Sequence, residues 1–148
     1  MIWALTIVFL ALGVLSLRPT RWAYWTFVVL GMLYFPASVG FHFHPRPCDC
    51  SLSIPLIMFA LTKYGHFVRF TFFFVMTAAQ LPGRRVSTQF LIAAGAVLAM
   101  GIYVELAEGI TGSGNCRLRD LAPDMAGALM GAIILMLWRV IRRNRTGT

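Results

Sequence analysis

The amino-acid sequence predicts an all-α fold, a polytopic membrane helix bundle with about five transmembrane helices, in which residues 1–148 form a single transmembrane domain. Three observations lead to this prediction. Apolar residues make up 59% of the chain and charged residues only 12%, which is not the composition of an ordinary soluble domain. Several long stretches are nearly free of charge. Arginines lie at the ends of these stretches, as membrane orientation requires.

Five apolar segments are the predicted spans: residues 2–17, 22–41, 54–81, 88–110 and 121–141. The first is interpreted as a short retained helix, because no basic residue precedes it and no small-x-small cleavage site follows. The third exceeds the roughly 20 residues needed to cross and contains Lys63, His66 and Arg69. We therefore expect its first turns to lie along the membrane interface or to tilt.

The basic residues predict the orientation of the chain. They concentrate in three regions, which hold Arg18 and Arg21, Arg84 and Arg85, and Arg139, Arg142, Arg143 and Arg145. Placing these regions in the cytoplasm puts the N-terminus outside and the C-terminus inside, with residues 142–148 as a basic tail. Loops 42–53 and 111–120 then face outward. A four-span alternative, with 22–41 as a re-entrant segment, breaks this alternation and ranks second.

The charged residues within the spans are predicted to converge in the outer part of the bundle. Lys63 and His66 share a face early in a helix that runs inward. Four of the five acidic residues lie late in the next helix or at the start of the last one: Glu105, Glu108, Asp120 and Asp124. Ionisable groups are costly at membrane depth, so we expect these to pair, to line a wet cavity or to serve a function.

The last helix is predicted to carry one polar and small-residue stripe. Asp120, Asp124, Gly127 and Gly131 follow one another at spacings of four, three and four. Asp120 suits the N-cap position, where its carboxylate can accept backbone N–H hydrogen bonds. The pair Gly127-x-x-x-Gly131 removes side-chain bulk and lets another helix pack closely.

Two interpretations of the charged cluster stay open. In the first it is a pocket in which carboxylates act as acid or base and cations hold an anionic headgroup or phosphate. The catalytic candidates are Glu105, Glu108 and Asp124, and the binding candidates are Lys63, His66, Arg117, Arg119 and Asp120. In the second, a buried ion-pair network only fixes helix register and orientation. The sequence carries no catalytic motif that would name a reaction type.

The order of these polar residues resembles the VanZ-like family of small bacterial membrane proteins. The matching stretches are Glu105-x-x-Glu108, Arg117-x-x-Asp120-x-x-x-Asp124-x-x-Gly127-x-x-x-Gly131, Lys63-x-x-His66-Phe67 and Ser16-Leu17-x-Pro19. The family pattern is Glu-x-x-Gln, a loop with Arg, Asp-x-x-x-Asn-x-x-Gly-x-x-x-Gly, and upstream Asp-Lys-x-x-His-Phe. The likeness covers chiefly residues 54–135. The chain departs from it at Thr62, Glu108 and Asp124, and in the extra segment 20–53 relative to a four-helix layout.

The resemblance implies a multi-pass protein of the bacterial cytoplasmic (inner) membrane with a role at the cell envelope. Its named member is linked with low-level resistance to the glycopeptide antibiotic teicoplanin. We therefore expect a site that binds or acts on an envelope lipid or a peptidoglycan component. The alternative from a different class is a non-catalytic accessory subunit packed against a larger membrane complex. The expected protein partner is such a complex or a further copy of this chain. A small transporter is less well supported, because no repeat halves or paired broken helices are evident.

The three cysteines lie in the two loops predicted to face outward, where disulfides persist. Cys116 is expected to pair with Cys48 or Cys50, which leaves one thiol; three unpaired cysteines are the alternative. His42 and His44 precede Cys48 and Cys50, but this spacing fits a zinc site poorly, so neither metal nor another cofactor is predicted. Membrane lipids are expected partners. Nucleic acid is not, because the net charge of +8 is not gathered into one basic patch.

Overall fold

A computed structural model describes residues 8, 11–17, 21–38 and 42–146, with the side chains of 34–38 and 146 left out. Within these residues the protein is all-helical, as predicted, and the only β-type pairing is an isolated bridge between Asp49 and Arg117. The elements are α1 (Arg21–Ser38), α2 (Ile54–Ala60), α3 (Tyr64–Ala79), α4 (Val86–Thr111), a 3-10 turn (Leu118–Asp120) and α5 (Leu121–Thr146).

Two of these helices, α4 and α5, are long and apolar enough to cross a membrane. They correspond to the predicted spans 88–110 and 121–141. The predicted span 22–41 contains α1, and residues 39–41 lie outside the described residues. Half of the predicted span 2–17 also lies outside them, and residues 11–15 are helical.

The predicted span 54–81 is not one continuous helix. It divides into α2 and α3 at residues 61–63, where Lys63 adopts φ −77° and ψ 77°, outside the helical region. The Thr62 hydroxyl donates to the Phe59 carbonyl oxygen at 2.7 Å, a local bond that competes with continued helix. The break leaves Lys63 and His66 at the very start of α3.

The packing of α3 against α5 is the most extensive helix contact of the described chain. The two helices approach most closely at Gly127 and Gly131 of α5. A Cβ at Gly127 would meet the Phe67 carbonyl oxygen at 2.5 Å and the Thr71 nitrogen at 3.0 Å. Since the contact is with backbone, only glycine permits this distance. The predicted role of this glycine pair therefore agrees with the observed packing.

Aromatic and apolar side chains complete the core between α1, α3 and α4. Phe74 is 2% exposed and meets the Phe90 ring edge to face at 5.6 Å between centroids. The Tyr24 hydroxyl of α1 shares a 2.9 Å hydrogen bond with Thr77 of α3. Helix α4 ends at Gly112, whose φ of +67° reverses the chain at the end of the bundle where the charged residues lie. This packing holds α1, α3 and α4 together and so positions the helix ends at which the charged residues lie.

Candidate polar site at one end of the bundle

All five acidic residues of the chain lie at one end of the bundle. They are Asp49 in the loop before α2, Glu105 and Glu108 near the end of α4, Asp120 in the 3-10 turn and Asp124 in the first turn of α5. The start of α3 brings Lys63 and His66 to the same end. We refer to these seven residues together as the polar site. Asp49 was not among the site residues predicted from sequence.

Lys63 and Asp120 form an ion pair between α3 and the 3-10 turn. The Asp120 side chain is only 5% exposed, whereas that of Lys63 is 30% exposed. The second carboxylate oxygen, Oδ1, is buried and accepts no hydrogen bond within the described part of the chain. Asp120 directly precedes α5, where an N-cap residue is predicted, but the predicted capping hydrogen bond is absent from the described chain, because the one bonded oxygen is paired with Lys63.

His66 and Asp124 form the second link between α3 and α5. The Nδ1 atom of His66 lies 2.9 Å from Oδ1 of Asp124, and the imidazole stacks on Phe70 at 6.4 Å between centroids. Oδ2 of Asp124 is buried and has no partner among the described residues. It lies against Gly101 of α4, where an added Cβ would stand 2.7 Å away. Asp124 is therefore enclosed between two helices.

The two glutamates of α4 are held by the loop that follows it. Oε2 of Glu105 accepts the backbone N–H of Arg117 at 2.6 Å, and Glu105 is buried. Glu108 lies against Gly114 so closely that a Cβ there would overlap its carboxylate. Both glutamates are near enough to His66 and Asp120 to interact electrostatically. The spacing of three thus places both on the side of α4 that faces the site.

Loop 42–53 is held at this end of the bundle by a disulfide and by backbone hydrogen bonds. A disulfide joins Cys48 to Cys116, with 4.6 Å between the Cα atoms, and Cys50 is an exposed free thiol. The backbone of Asp49 pairs on both sides, donating to the Cys116 carbonyl at 2.9 Å and accepting from Leu118 N–H at 3.0 Å. Of the two pairings that the sequence left open, the structure contains the one through Cys48.

Asp49 also anchors the loop through its side chain. Its carboxylate accepts the Ser51 hydroxyl and backbone N–H, and Oδ2 accepts Nη1 of Arg119 at 2.7 Å. Hydrogen bonds from Ser51, followed by the attraction of the Arg119 guanidinium, hold the pKa of Asp49 below its usual value. The loop is thus tied to the 3-10 turn by a covalent bond, backbone pairing and an ion pair.

The residues predicted from the sequence as site candidates therefore meet, but they are not equally available. Arg119 is engaged by Asp49 and Lys63 by Asp120. The Arg117 side chain is half-buried and makes no hydrogen bond or ion pair within the described chain. Arg117 was predicted to hold an anion, and within the described chain no carboxylate of the site is paired with its side chain. Within the described residues, no three His, Cys, Asp or Glu side chains are grouped as metal ligands.

Comparisons with known proteins find no relative: no protein-family model, curated protein or solved structure matches the chain. The resemblance to the VanZ-like family stays a prediction from the spacing of polar residues. Support for a function therefore comes from the geometry of the polar site and from this resemblance.

Proposed function

We propose that this protein is a VanZ-like, multi-pass protein of the bacterial cytoplasmic membrane whose outward-facing polar site binds or acts on a lipid or peptidoglycan component of the cell envelope. The observation that carries the proposal is the gathering of all five carboxylates, with Lys63, His66 and Arg117, at the end of the bundle where a disulfide holds loop 42–53. No other end or face of the described chain combines so many ionisable groups.

The charges of the polar site exceed what a helix-fixing network requires. A buried ion pair is neutral in stability at best, and a purely structural network is expected to satisfy every buried oxygen. Two buried carboxylate oxygens, Oδ1 of Asp120 and Oδ2 of Asp124, have no partner in the described chain. Carboxylates kept at membrane depth are costly and are typical of functional sites in membrane proteins.

The distribution of cysteine and arginine supports an outward-facing site. Disulfides persist on the oxidising side of a membrane, and the Cys48–Cys116 bond lies beside the polar site. The opposite end of α5 carries the basic residues Arg139, Arg142, Arg143 and Arg145. This asymmetry follows the positive-inside rule and favours a cytoplasmic C-terminus.

The proposed five-span arrangement needs spans beyond α4 and α5, the two helices of the described chain that are long and apolar enough to cross a membrane. Helix α1 has 18 residues, and α2 with α3 covers residues 54–79 with one break beside the polar site. A broken helix is tolerated at membrane depth where it lines a polar cavity or is buried in protein. An N-terminal span over residues 2–17 completes the alternation that the arginines favour.

The proposal is tested by purification from the native membrane in a gentle detergent, followed by native mass spectrometry. We expect the wild-type protein, alone or as a homo-oligomer, to carry a defined lipid or lipid-linked envelope component. Arg117→Ala should lose that component, whereas Arg145→Ala, in the basic tail, should retain it. A stoichiometric set of other subunits with no bound component would contradict the proposal and favour an accessory role.

A further inference from the structure

We propose that His66 is the group that exchanges protons with the bound molecule, that Asp124 positions it, and that the reacting bond is a neutral acyl ester. This inference rests on the proposed function and assigns chemistry to the same site. It reverses the roles predicted from sequence, in which Asp124 was a catalytic candidate and His66 a binding residue.

The geometry of His66 is that of an oriented acid–base group. Its Nδ1 lies 2.9 Å from Oδ1 of Asp124. Because a carboxylate oxygen only accepts, a neutral imidazole in this position carries its proton on Nδ1 and its lone pair on Nε2. Nε2 makes no hydrogen bond within the described residues. The imidazole is 22% exposed, whereas the Asp124 side chain is only 2% exposed. A buried carboxylate that fixes the tautomer of a partly exposed imidazole is the arrangement used in hydrolytic enzymes.

The other predicted acid–base groups are less able to reach a bound molecule. Asp124 is enclosed: Oδ1 is taken by His66 and Oδ2 lies against Gly101. Glu105 is buried and its Oε2 accepts the Arg117 N–H. Glu108 is half-buried and turned toward Gly114. His66 is the proton-exchanging side chain of the site that is both oriented by a partner and open on its far edge.

The charges around His66 select the reacting group. Four carboxyl groups, at Glu105, Glu108, Asp120 and Asp124, and the Lys63 ammonium lie within electrostatic range of His66. The Lys63 ammonium is paired with Asp120 and is therefore not available to hold a phosphate at Nε2 of His66, whereas a neutral ester carbonyl needs no counter-charge there. Arg117 stays available for an anionic part of the same molecule. An acyl ester in a membrane lipid or a lipid-anchored envelope polymer meets this requirement.

The proposed step is a proton relay through one nitrogen. As the oxygen of water or of an acceptor hydroxyl attacks the carbonyl carbon, its proton passes to Nε2 and a new carbon–oxygen bond forms. The old carbon–oxygen bond then breaks, and the imidazolium returns the same proton to the leaving oxygen. Asp124 keeps its negative charge throughout and stabilises the imidazolium. No oxidant, reductant or other co-reactant is needed.

The test uses the full-length protein in lipid nanodiscs with p-nitrophenyl butyrate as the probe ester. His66→Asn keeps a donor near the Nδ1 position but lacks Nε2, so it separates proton exchange from packing. We expect it to lower the rate of ester hydrolysis about 100-fold. Asp124→Asn should lower the rate about 10-fold or more, because the charge that fixes the tautomer is lost. The matched control is the double variant His42→Asn and His44→Asn in the outer loop, which should retain the wild-type rate.

A second measurement reads the tautomer without relying on turnover. The chain has three histidines, so imidazole ¹⁵N resonances can be assigned by comparison with His66→Asn. In neutral His66 we expect the proton on Nδ1, and a shift toward Nε2 in Asp124→Asn. A wild-type rate in His66→Asn, no hydrolysis by the wild type, or a proton on Nε2 would overturn the inference. If the inference about His66 fails but the same preparations retain a bound envelope component, the proposed binding function still holds.

Discussion

Gly101 of α4 lies directly against the buried carboxylate of Asp124 in α5. A Cβ built on Gly101 would stand 2.7 Å from Oδ2 of Asp124 and 3.0 Å from Cδ2 of Leu121. Both atoms belong to the first turn of α5, and Asp124 is further held by His66 from the other side. The absence of a side chain at position 101 is therefore what permits the carboxylate to sit between α4 and α3.

Gly101→Ala should displace Asp124 and lower the free energy of unfolding by about 1–3 kcal/mol, because the added methyl overpacks an enclosed site. Gly95→Ala is the matched control on the same helix, since nothing lies within 4 Å of a Cβ there. It should leave stability unchanged or raise it by up to about 1 kcal/mol, through better helix propensity. Thermal unfolding of both purified variants measures the difference. Equal effects at the two positions would contradict the contact.

Gly127→Ala should be more disruptive than Gly65→Ala, its counterpart at the start of α3. The added methyl at 127 meets the backbone of Phe67 and Thr71, which cannot rotate away, so α3 and α5 must separate. Nothing lies within 4 Å of a Cβ at Gly65. We expect a loss of about 1–3 kcal/mol in the free energy of unfolding for Gly127→Ala. An unchanged melting temperature would show that the helices are not in backbone contact.

Lys63→Met should destabilise the protein more than the double variant Lys63→Met/Asp120→Asn. Removal of the ammonium alone leaves the Asp120 carboxylate buried without its counter-charge, whereas the double variant also removes the charge. We expect a loss of up to about 3 kcal/mol for the single variant, less than for a fully buried pair because Lys63 is partly exposed. The free energies of unfolding of the wild type, the two single variants and the double variant complete a double-mutant cycle. Additive losses would mean that the pair is not coupled.

Cys50 should react with a membrane-impermeant maleimide on intact cells. It is the free, exposed cysteine of the loop that the proposed topology places outside, while Cys48 and Cys116 are joined. One label per chain is expected before reduction and three after denaturation with a reductant. Cys50→Ser supplies the control and should remain unlabelled before reduction. Labelling that requires broken cells would reverse the proposed orientation.

The helices could be predicted from local sequence, whereas the break between α2 and α3 could not. The predicted spans 88–110 and 121–141 match α4 and α5 closely, because each is a long apolar run bounded by Pro, Gly or Arg. The run 54–81 is apolar on both sides of Lys63. Its division coincides with a contact to Asp120, 57 positions away, which no local pattern contains.

Six of the seven residues of the polar site were predictable from the sequence, whereas their pairing was not. Spacing along helices and the predicted alternation were sufficient to bring Glu105, Glu108 and His66 to one end. They did not indicate that Asp124 would be enclosed while His66 stays partly open, since that depends on the proximity of Gly101. Asp49 was missed because its role comes from the disulfide beside it and from Arg119, 70 positions later. The sequence signal that could have indicated Asp49 is its position between Cys48 and Cys50 in a loop predicted to form a disulfide.

The most direct test of an envelope role for the polar site is genetic complementation. A strain lacking the gene is supplied with the wild type, Glu105→Gln, Arg117→Ala or Gly95→Ala, each at equal membrane levels, and growth is measured in the presence of an antibiotic that acts on the cell envelope. We expect the wild type and Gly95→Ala to restore growth, and Glu105→Gln and Arg117→Ala to fail. Full restoration by Glu105→Gln and Arg117→Ala would contradict the account and leave the buried charges with a structural role alone.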